Sequence, residues 1–148
     1  MADFKKSMLK GIEAAEHAAK NVKEIDEVFD DLKNQLLEAT DNKVEIFREP
    51  AFFTEPDPNA KNAGTASFLG NRRIRKAVQI ACKNPKLKGV GESLAEFKLA
   101  KSGYPCEIKL HSEELMCKNR EGLEAALERL LSDPVVGEKI YKVMNLDL

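Results

Sequence analysis

The sequence has few residues that could build a covalent or metal-bound framework: its 148 residues include no tryptophan, two tyrosines and three cysteines. The cysteines, Cys82, Cys106 and Cys117, are widely spaced and form no CxxC motif. An odd number of cysteines without paired spacing favours buried free thiols over a disulfide framework or a zinc site. We therefore expect no metal and no bound cofactor.

Long apolar runs are also missing. No stretch approaches the ~18 uninterrupted apolar residues that a membrane span needs, and the first residues lack the apolar core of a secretory signal. These absences predict a cytoplasmic protein with no membrane partner. What is present is 43% hydrophobic and 33% charged residues, with 24 basic against 25 acidic side chains. This composition is typical of a globular chain that buries its own core.

Residues 3–40 contain no proline and a single glycine, Gly11, and their apolar residues recur at steps of three and four. As heptads, the a positions are Met1, Met8, Ala15, Val22, Phe29 and Leu36, and the d positions are Phe4, Gly11, Ala18, Ile25, Leu32 and Ala39. Such a repeat predicts a long helix with a coiled-coil seam. We accordingly divide the chain into a helical, possible dimerisation segment, residues 1–42, and a compact α+β domain, residues 43–148.

A single helix across this segment would be about 57 Å long at ~1.5 Å per residue. The rest of the chain would be only about 34 Å across. The helix must therefore bend near Gly11, break in two, or extend past its own domain. Its seam then has three candidate partners: the body of the same chain, a second copy in a homodimer, or a groove on another protein.

The middle of the chain predicts a strand at 43–48, followed by an irregular loop at 49–65 in which Phe52 and Phe53 anchor the chain or a partner. Asn71 is the expected N-cap of a helix over Arg72–Lys83. The capping box that begins at Ser93 predicts a second helix over 94–102, although Ala95, Phe97 and Leu99 also alternate as a strand would.

The final third predicts a hairpin and two helices. Cys106–His111 and Glu114–Lys118 form the strands, with Leu110 opposite Leu115 and with Glu107–Lys118 and His111–Glu114 as polar pairs. Asn119 caps one helix, and Asp133-Pro134 starts the last. The expected fold class is α+β: a long N-terminal helix, then a compact body with a small, mainly antiparallel sheet and about four shorter helices.

The charge is strongly partitioned along the chain. Pro58 to Gly91 contains eight basic residues and no acidic one, whereas both flanking regions are acidic. Three arginines of this segment fall in the first turn of the predicted helix, where the macrodipole disfavours cations, and further cations share one helical stripe. These residues form a candidate site for an anion or for a nucleic-acid backbone: Arg72, Arg73, Arg75, Lys76, Lys83, Lys86 and Lys88.

Three functions and one structural alternative follow. The first is a non-enzymatic cytoplasmic binding protein, dimeric through the heptad seam, whose basic helix and loop contact nucleic acid or an acidic protein. The second is a protein inhibitor or adaptor that docks through an apolar helix face or through the Phe52-Phe53 loop. The third is a small metal-dependent nuclease that uses Asp57, Glu107 and Lys109. Structurally, the acidic first helix could instead neutralise the basic segment within the chain.

Overall fold

The computed structural model describes residues 1–56, 72–89 and 91–146. The elements are α1 (Phe4–Ala39), β1 (Glu45–Pro56), β2 (Arg72–Lys83), β3 (Glu92–Ala100), β4 (Gly103–Leu110), β5 (Glu113–Cys117), α2 (Arg120–Ser132) and α3 (Pro134–Met144). The strands form one antiparallel sheet in the order β1-β2-β3-β4-β5. The α+β class is confirmed, but in the described residues two shorter helices follow the long one, where about four were expected.

The long helix α1 is continuous and has no break at Gly11. Asp3 caps its start by accepting a hydrogen bond from the backbone N–H of Lys6, 3.0 Å away. Asp41 and Asn42 have positive φ values of 54° and 61°, and the chain turns there into β1. Only the second half of the helix buries side chains in the core, namely Ile25, Val28 and Phe29. The domain division at residue 42 stays a prediction.

The two central helices of the prediction are wrong, because Arg72–Lys83 and Glu92–Ala100 are neighbouring strands. The β-branched residues Ile74, Val78 and Ile80 lie on one face of β2 at spacings of four and two, which suits a strand. Ile80 is fully buried in the core, and β2 pairs on both sides with strands distant in sequence. Tertiary pairing therefore overrides the local helical spacing. The N-cap proposed at Asn71 lies outside the described residues.

The first strand is also longer than expected. Residues 49–56, assigned to an irregular loop, continue β1 and pair with β2 as far as Pro56 opposite Arg72. Phe52 and Phe53 therefore lie on opposite faces of a strand, since consecutive side chains in a strand alternate. The remainder of the predicted loop, residues 57–65, lies outside the described residues.

The predicted hairpin exists with a register shifted by two residues. Ile108, and not Leu110, is opposite Leu115, and Cys106 is opposite Cys117. The expected polar pairs Glu107–Lys118 and His111–Glu114 are therefore wrong. The turn contains only two residues, the first of which, His111, has a φ of 56°, and such tight turns fix the register of the strands.

One face of the sheet carries the core. The buried side chains of the strands pack in a single cluster with those of α1, α2 and α3. The two C-terminal helices match the prediction: Asn119 caps α2, and Asp133 caps α3 by accepting from the N–H groups of Val135 and Val136. The opposite face of the sheet carries mainly polar side chains, among them Gln79, Glu96 and Lys109.

Candidate binding surface

The β1–β2 hairpin extends past the other strands. Pairing of β2 with β3 begins at Val78 opposite Phe97, whereas pairing of β2 with β1 continues to Arg72 opposite Pro56. In the described residues, Ala51–Pro56 and Arg72–Ala77 thus form a two-stranded ribbon. At ~3.4 Å per residue, the ribbon is about 20 Å long.

The side of the ribbon that continues the core face of the sheet is exposed, and we call it the ribbon face. Phe52 and Ile74 are both 71% exposed. Register places Phe52 opposite Lys76 and Thr54 opposite Ile74. Arg72, on the same face, donates to the carbonyl oxygen of Thr54 at 3.3 Å. Two large exposed apolar side chains therefore share this face with two cations: Ile74 lies between Arg72 and Lys76 along β2, and Phe52 lies opposite Lys76.

The other side of the ribbon carries an ion-pair network. The Nε of Arg73 lies 2.7 Å from one carboxylate oxygen of Glu55, and the Nε of Arg75 lies 3.1 Å from the other. Arg75 also forms a bidentate pair with Glu96, with N–O distances of 2.9 and 2.7 Å. Its guanidinium lies 5.3 Å from the ring centre of Phe53. The network connects the ribbon to β3.

Ionisation in this network follows from its geometry. The hydrogen bond from Arg73, helped by that from Arg75, lowers the pKa of Glu55. The hydrogen bonds from Arg75 lower the pKa of Glu96 against the opposing effect of burial, and the same bonds raise the pKa of Arg75. Arg73 and Arg75 are therefore neutralised by carboxylates of their own chain.

The seven basic residues of the candidate site do not share one surface. Arg72 and Lys76 lie on the ribbon face, whereas Arg73 and Arg75 lie on the other side. The predicted helical stripe does not exist, because alternation in a strand separates its members. Lys83, at the far end of β2, has its Nζ 4.0 Å from Glu45 and 4.9 Å from the ring centre of Phe47.

The last two members of the candidate site, Lys86 and Lys88, are exposed in the β2–β3 connection. They lie beyond the C-terminal end of β2, whereas Arg72 is at its N-terminal end. The two ends of the strand are about 36 Å apart at ~3.3 Å per residue. In the described part of the chain, neither forms an ion pair. Any anion held by these two lysines would therefore occupy a different place from one held at the ribbon face.

The acidic residues that neutralise the basic segment come from the sheet. Glu45, Glu55 and Glu96 pair with it in the described residues. The acidic part of α1 was the other proposed partner of the basic segment within the chain. Its Asp26 instead pairs with Arg48 on β1, at 2.8 Å.

A groove adjoins the ribbon face where α1 passes over the first three strands. It encloses a cavity of about 410 Å³. Val78 and Leu99 are exposed in it. The Arg48 guanidinium, at one wall, lies 4.2 Å from the ring centre of Phe29 and 5.7 Å from that of Phe97. Because Val78 follows Lys76 on the same face of β2, the groove and the ribbon face form one continuous surface.

The residues of the nuclease hypothesis are on a different face. Glu107 and Lys109 alternate with the core residues of β4, opposite Lys98 and Glu96 respectively. Asp57, the proposed second carboxylate, lies outside the described residues. Among the residues that the structure describes, no group of three His, Cys, Asp or Glu side chains is arranged to hold a metal ion.

His111 and the three cysteines lie in structural positions. His111 lies 3.0 Å from the carboxylate of Asp133, which also caps α3. All three cysteines are buried free thiols, and burial raises the pKa of Cys82 to about 11. An unreactive thiol is expected at that pKa, since the thiolate is the nucleophile.

Comparison with protein-family models, with curated proteins and with solved structures found no match to this chain. In the three described ranges, no helix is long and apolar enough to cross a membrane. The function must therefore be argued from the surface itself.

Proposed function

We propose that this chain is a non-enzymatic binding protein and that its ribbon face and adjoining groove dock an acidic, apolar segment of another protein. The observation that carries the proposal is the exposure of Phe52 and Ile74, both at 71%, on the face that also carries Arg72 and Lys76. Contiguous exposed apolar side chains bordered by charge are typical of protein interaction sites. Aromatic anchors of this kind contribute most of the binding energy at interfaces.

The chemistry of the surface favours a protein segment over nucleic acid. Of the described residues, two cations, Arg72 and Lys76, lie on the ribbon face with the apolar residues, whereas nucleic-acid affinity comes mainly from many phosphate contacts. Arg73 and Arg75, which would have added to them, are held by Glu55 and Glu96. Acidic side chains flanking apolar ones would match this pattern of charge.

We expect the partner to contact the side chains of the ribbon face and not to add a strand to the sheet. β1 is the outer strand of the described sheet, so its free edge could in principle add another strand. Pro50 and Pro56 interrupt that edge, however, and proline lacks the N–H that such pairing needs. Side-chain contacts on the ribbon face therefore remain the main source of affinity.

The test uses synthetic peptides of equal length in fluorescence anisotropy: acidic and apolar, basic and apolar, and acidic without apolar residues. The acidic, apolar peptide should bind best. Phe52→Ser and Ile74→Ser should each weaken it about tenfold, as expected for loss of an interface anchor. Lys88→Ala, in the β2–β3 connection and away from the ribbon face, is the control and should leave affinity unchanged. Equal binding of all three peptides, or no effect of Phe52→Ser, would contradict the proposal.

A second candidate, binding to nucleic-acid backbone, has one observation in its favour: a two-stranded ribbon fits the major groove of duplex DNA. The same assay with duplex DNA separates the two. DNA binding tighter than peptide binding, weakening steeply with salt and lost in Lys76→Ala, would favour nucleic acid.

A further inference from the structure

The first half of α1 extends beyond the rest of the protein. In the described residues, the first side-chain hydrogen bond along α1 that reaches the body is at Asn21, whose side-chain amide donates to the carbonyl oxygen of Ser102 at 3.0 Å. Residues 4–17 are all exposed. At ~1.5 Å per residue, Phe4–Lys20 makes an arm about 25 Å long. We call this segment the α1 arm.

The α1 arm is amphipathic. Phe4 is 80% exposed and Met8 57%, and Leu9 and Ile12 are exposed beside them. The stripe that contains Phe4 and Met8 is the heptad seam that carries Ile25 and Phe29 into the core farther along the helix. One half of the seam is therefore covered by the body, whereas the half on the arm has no partner in the described residues.

From these features we infer that the α1 arm pairs with the α1 arm of a second copy, in antiparallel orientation, with the two-fold axis near Leu9 and Lys10. The sizes of the seam residues favour this direction. Large side chains, Phe4 and Met8, occupy the start of the arm, and small ones, Ala15 and Ala18, its end. Antiparallel pairing places large residues against small ones, which allows close packing of the two helices.

The layers of the seam agree with the same direction. In an antiparallel pair, each a position lies against a d position of the second copy. Phe4 then lies against Ala15 of the second copy, and Met8 lies against its Gly11. A parallel pair would instead place Phe4 against Phe4 and Ala15 against Ala15, which packs the large side chains together and leaves space beside the small ones.

The position of the bodies also favours antiparallel pairing. Each body begins at Asn21, so antiparallel arms carry the two bodies at opposite ends of the helix pair. Parallel arms would bring them side by side. The interface is small by the standard of stable complexes, which bury ~1,200–2,000 Å², and we expect a reversible monomer–dimer equilibrium. This inference is independent of the function proposed for the ribbon face.

Sedimentation equilibrium over a range of concentrations tests the pairing. Wild-type protein should dimerise reversibly. F4E and A15K should each raise the dissociation constant about tenfold or more, because each places a charge in the apolar seam twice per dimer. The double variant F4E/A15K should recover most of that loss, because the two introduced charges are opposite and lie against each other in the antiparallel pair. K10E is the control, since Lys10 is on the outer side of the helix.

Circular dichroism separates loss of pairing from loss of the helix. An acidic residue in the first turn favours the helix dipole, so F4E should retain its helicity. A wild-type protein that remains monomeric at about 1 mM, equivalent to ~4 kcal/mol of association energy, would overturn the inference. Failure of the double variant to recover dimerisation would overturn the antiparallel direction. Phe52→Ser, which removes the ribbon anchor, should leave dimerisation unchanged, so the two proposals can fail separately.

Discussion

At the scale of single residues, Glu96 attaches the ribbon to β3 through its ion pair with Arg75. Its side chain is only 8% exposed and lies against the Arg75 guanidinium. A buried carboxylate without a partner would be costly, so the two groups depend on each other. Sequence alone suggested that Glu96 belonged to a helix cap, because Ser93 precedes it by three residues. Its real partner is 21 positions away, and no local pattern contains that information.

Glu96→Ala should destabilise the protein by about 1–3 kcal/mol, since it leaves Arg75 partly buried with fewer acceptors. Because the pKa of Glu96 is lowered in the folded state, its contribution is complete above the unfolded pKa and is lost as the pH falls through the folded value. Urea unfolding at pH 7 and below pH 4 measures both effects.

Glu113→Ala is the control for that measurement, because Glu113 pairs with Arg129 at an exposed position. Its effect should be below about 0.5 kcal/mol. An equal loss in the two variants, or a pH-independent difference between Glu96→Ala and wild type, would contradict the structural role of Glu96.

At the scale of elements, Gly103 fixes the crossing of α1 over the sheet. It begins β4 with a φ of 88°, and a Cβ atom there would lie 2.6 Å from the Cβ of Asn21. Two independent requirements, a left-handed backbone and close approach of a helix, therefore demand glycine at this position.

Gly103→Ala should lower the free energy of unfolding by about 2–4 kcal/mol through backbone strain and displacement of α1. Gly89→Ala is the matched control, because a Cβ at Gly89 would meet nothing within 4 Å and its φ is not positive. Thermal unfolding of the two variants provides the comparison. Equal stability of both would show that α1 does not need this contact.

Helices that begin with a capping residue were predictable from the sequence, whereas strands that depend on pairing with distant strands were not. The helices that begin after Asn119 and Asp133 carry caps that act within one turn. β2 lacks such a signal, and its Ile74 and Val78, four residues apart, fit helical and strand spacing equally until β1 and β3 are known. The ribbon face was missed for the same reason, since Phe52 reaches the cations only across the β1–β2 register.

At the scale of the whole molecule, the α1 arm and the core are separable. A chain starting at His17 loses exposed residues but keeps Asn21, Ile25 and Phe29, which contact the body. Its melting temperature should stay within about 2 °C of that of the wild-type monomer, because surface changes rarely exceed ~0.5 kcal/mol.

Differential scanning calorimetry at concentrations below the dimer dissociation constant is the appropriate measurement. The Phe29→Ala variant of the same shortened chain is the comparison, and it should melt far lower because it leaves a cavity in the core. A large loss of stability on shortening alone would mean that the arm folds back onto the body in solution.

The unbroken course of α1 has a mechanical consequence. This one helix borders the groove at Phe29 and Lys33, and its first residue, at the tip of the arm, is about 40 Å from them at ~1.5 Å per residue. Two copies joined through their arms would hold their docking surfaces at a fixed spacing. A target with two suitable segments at that spacing would gain avidity, whereas a target with one would not.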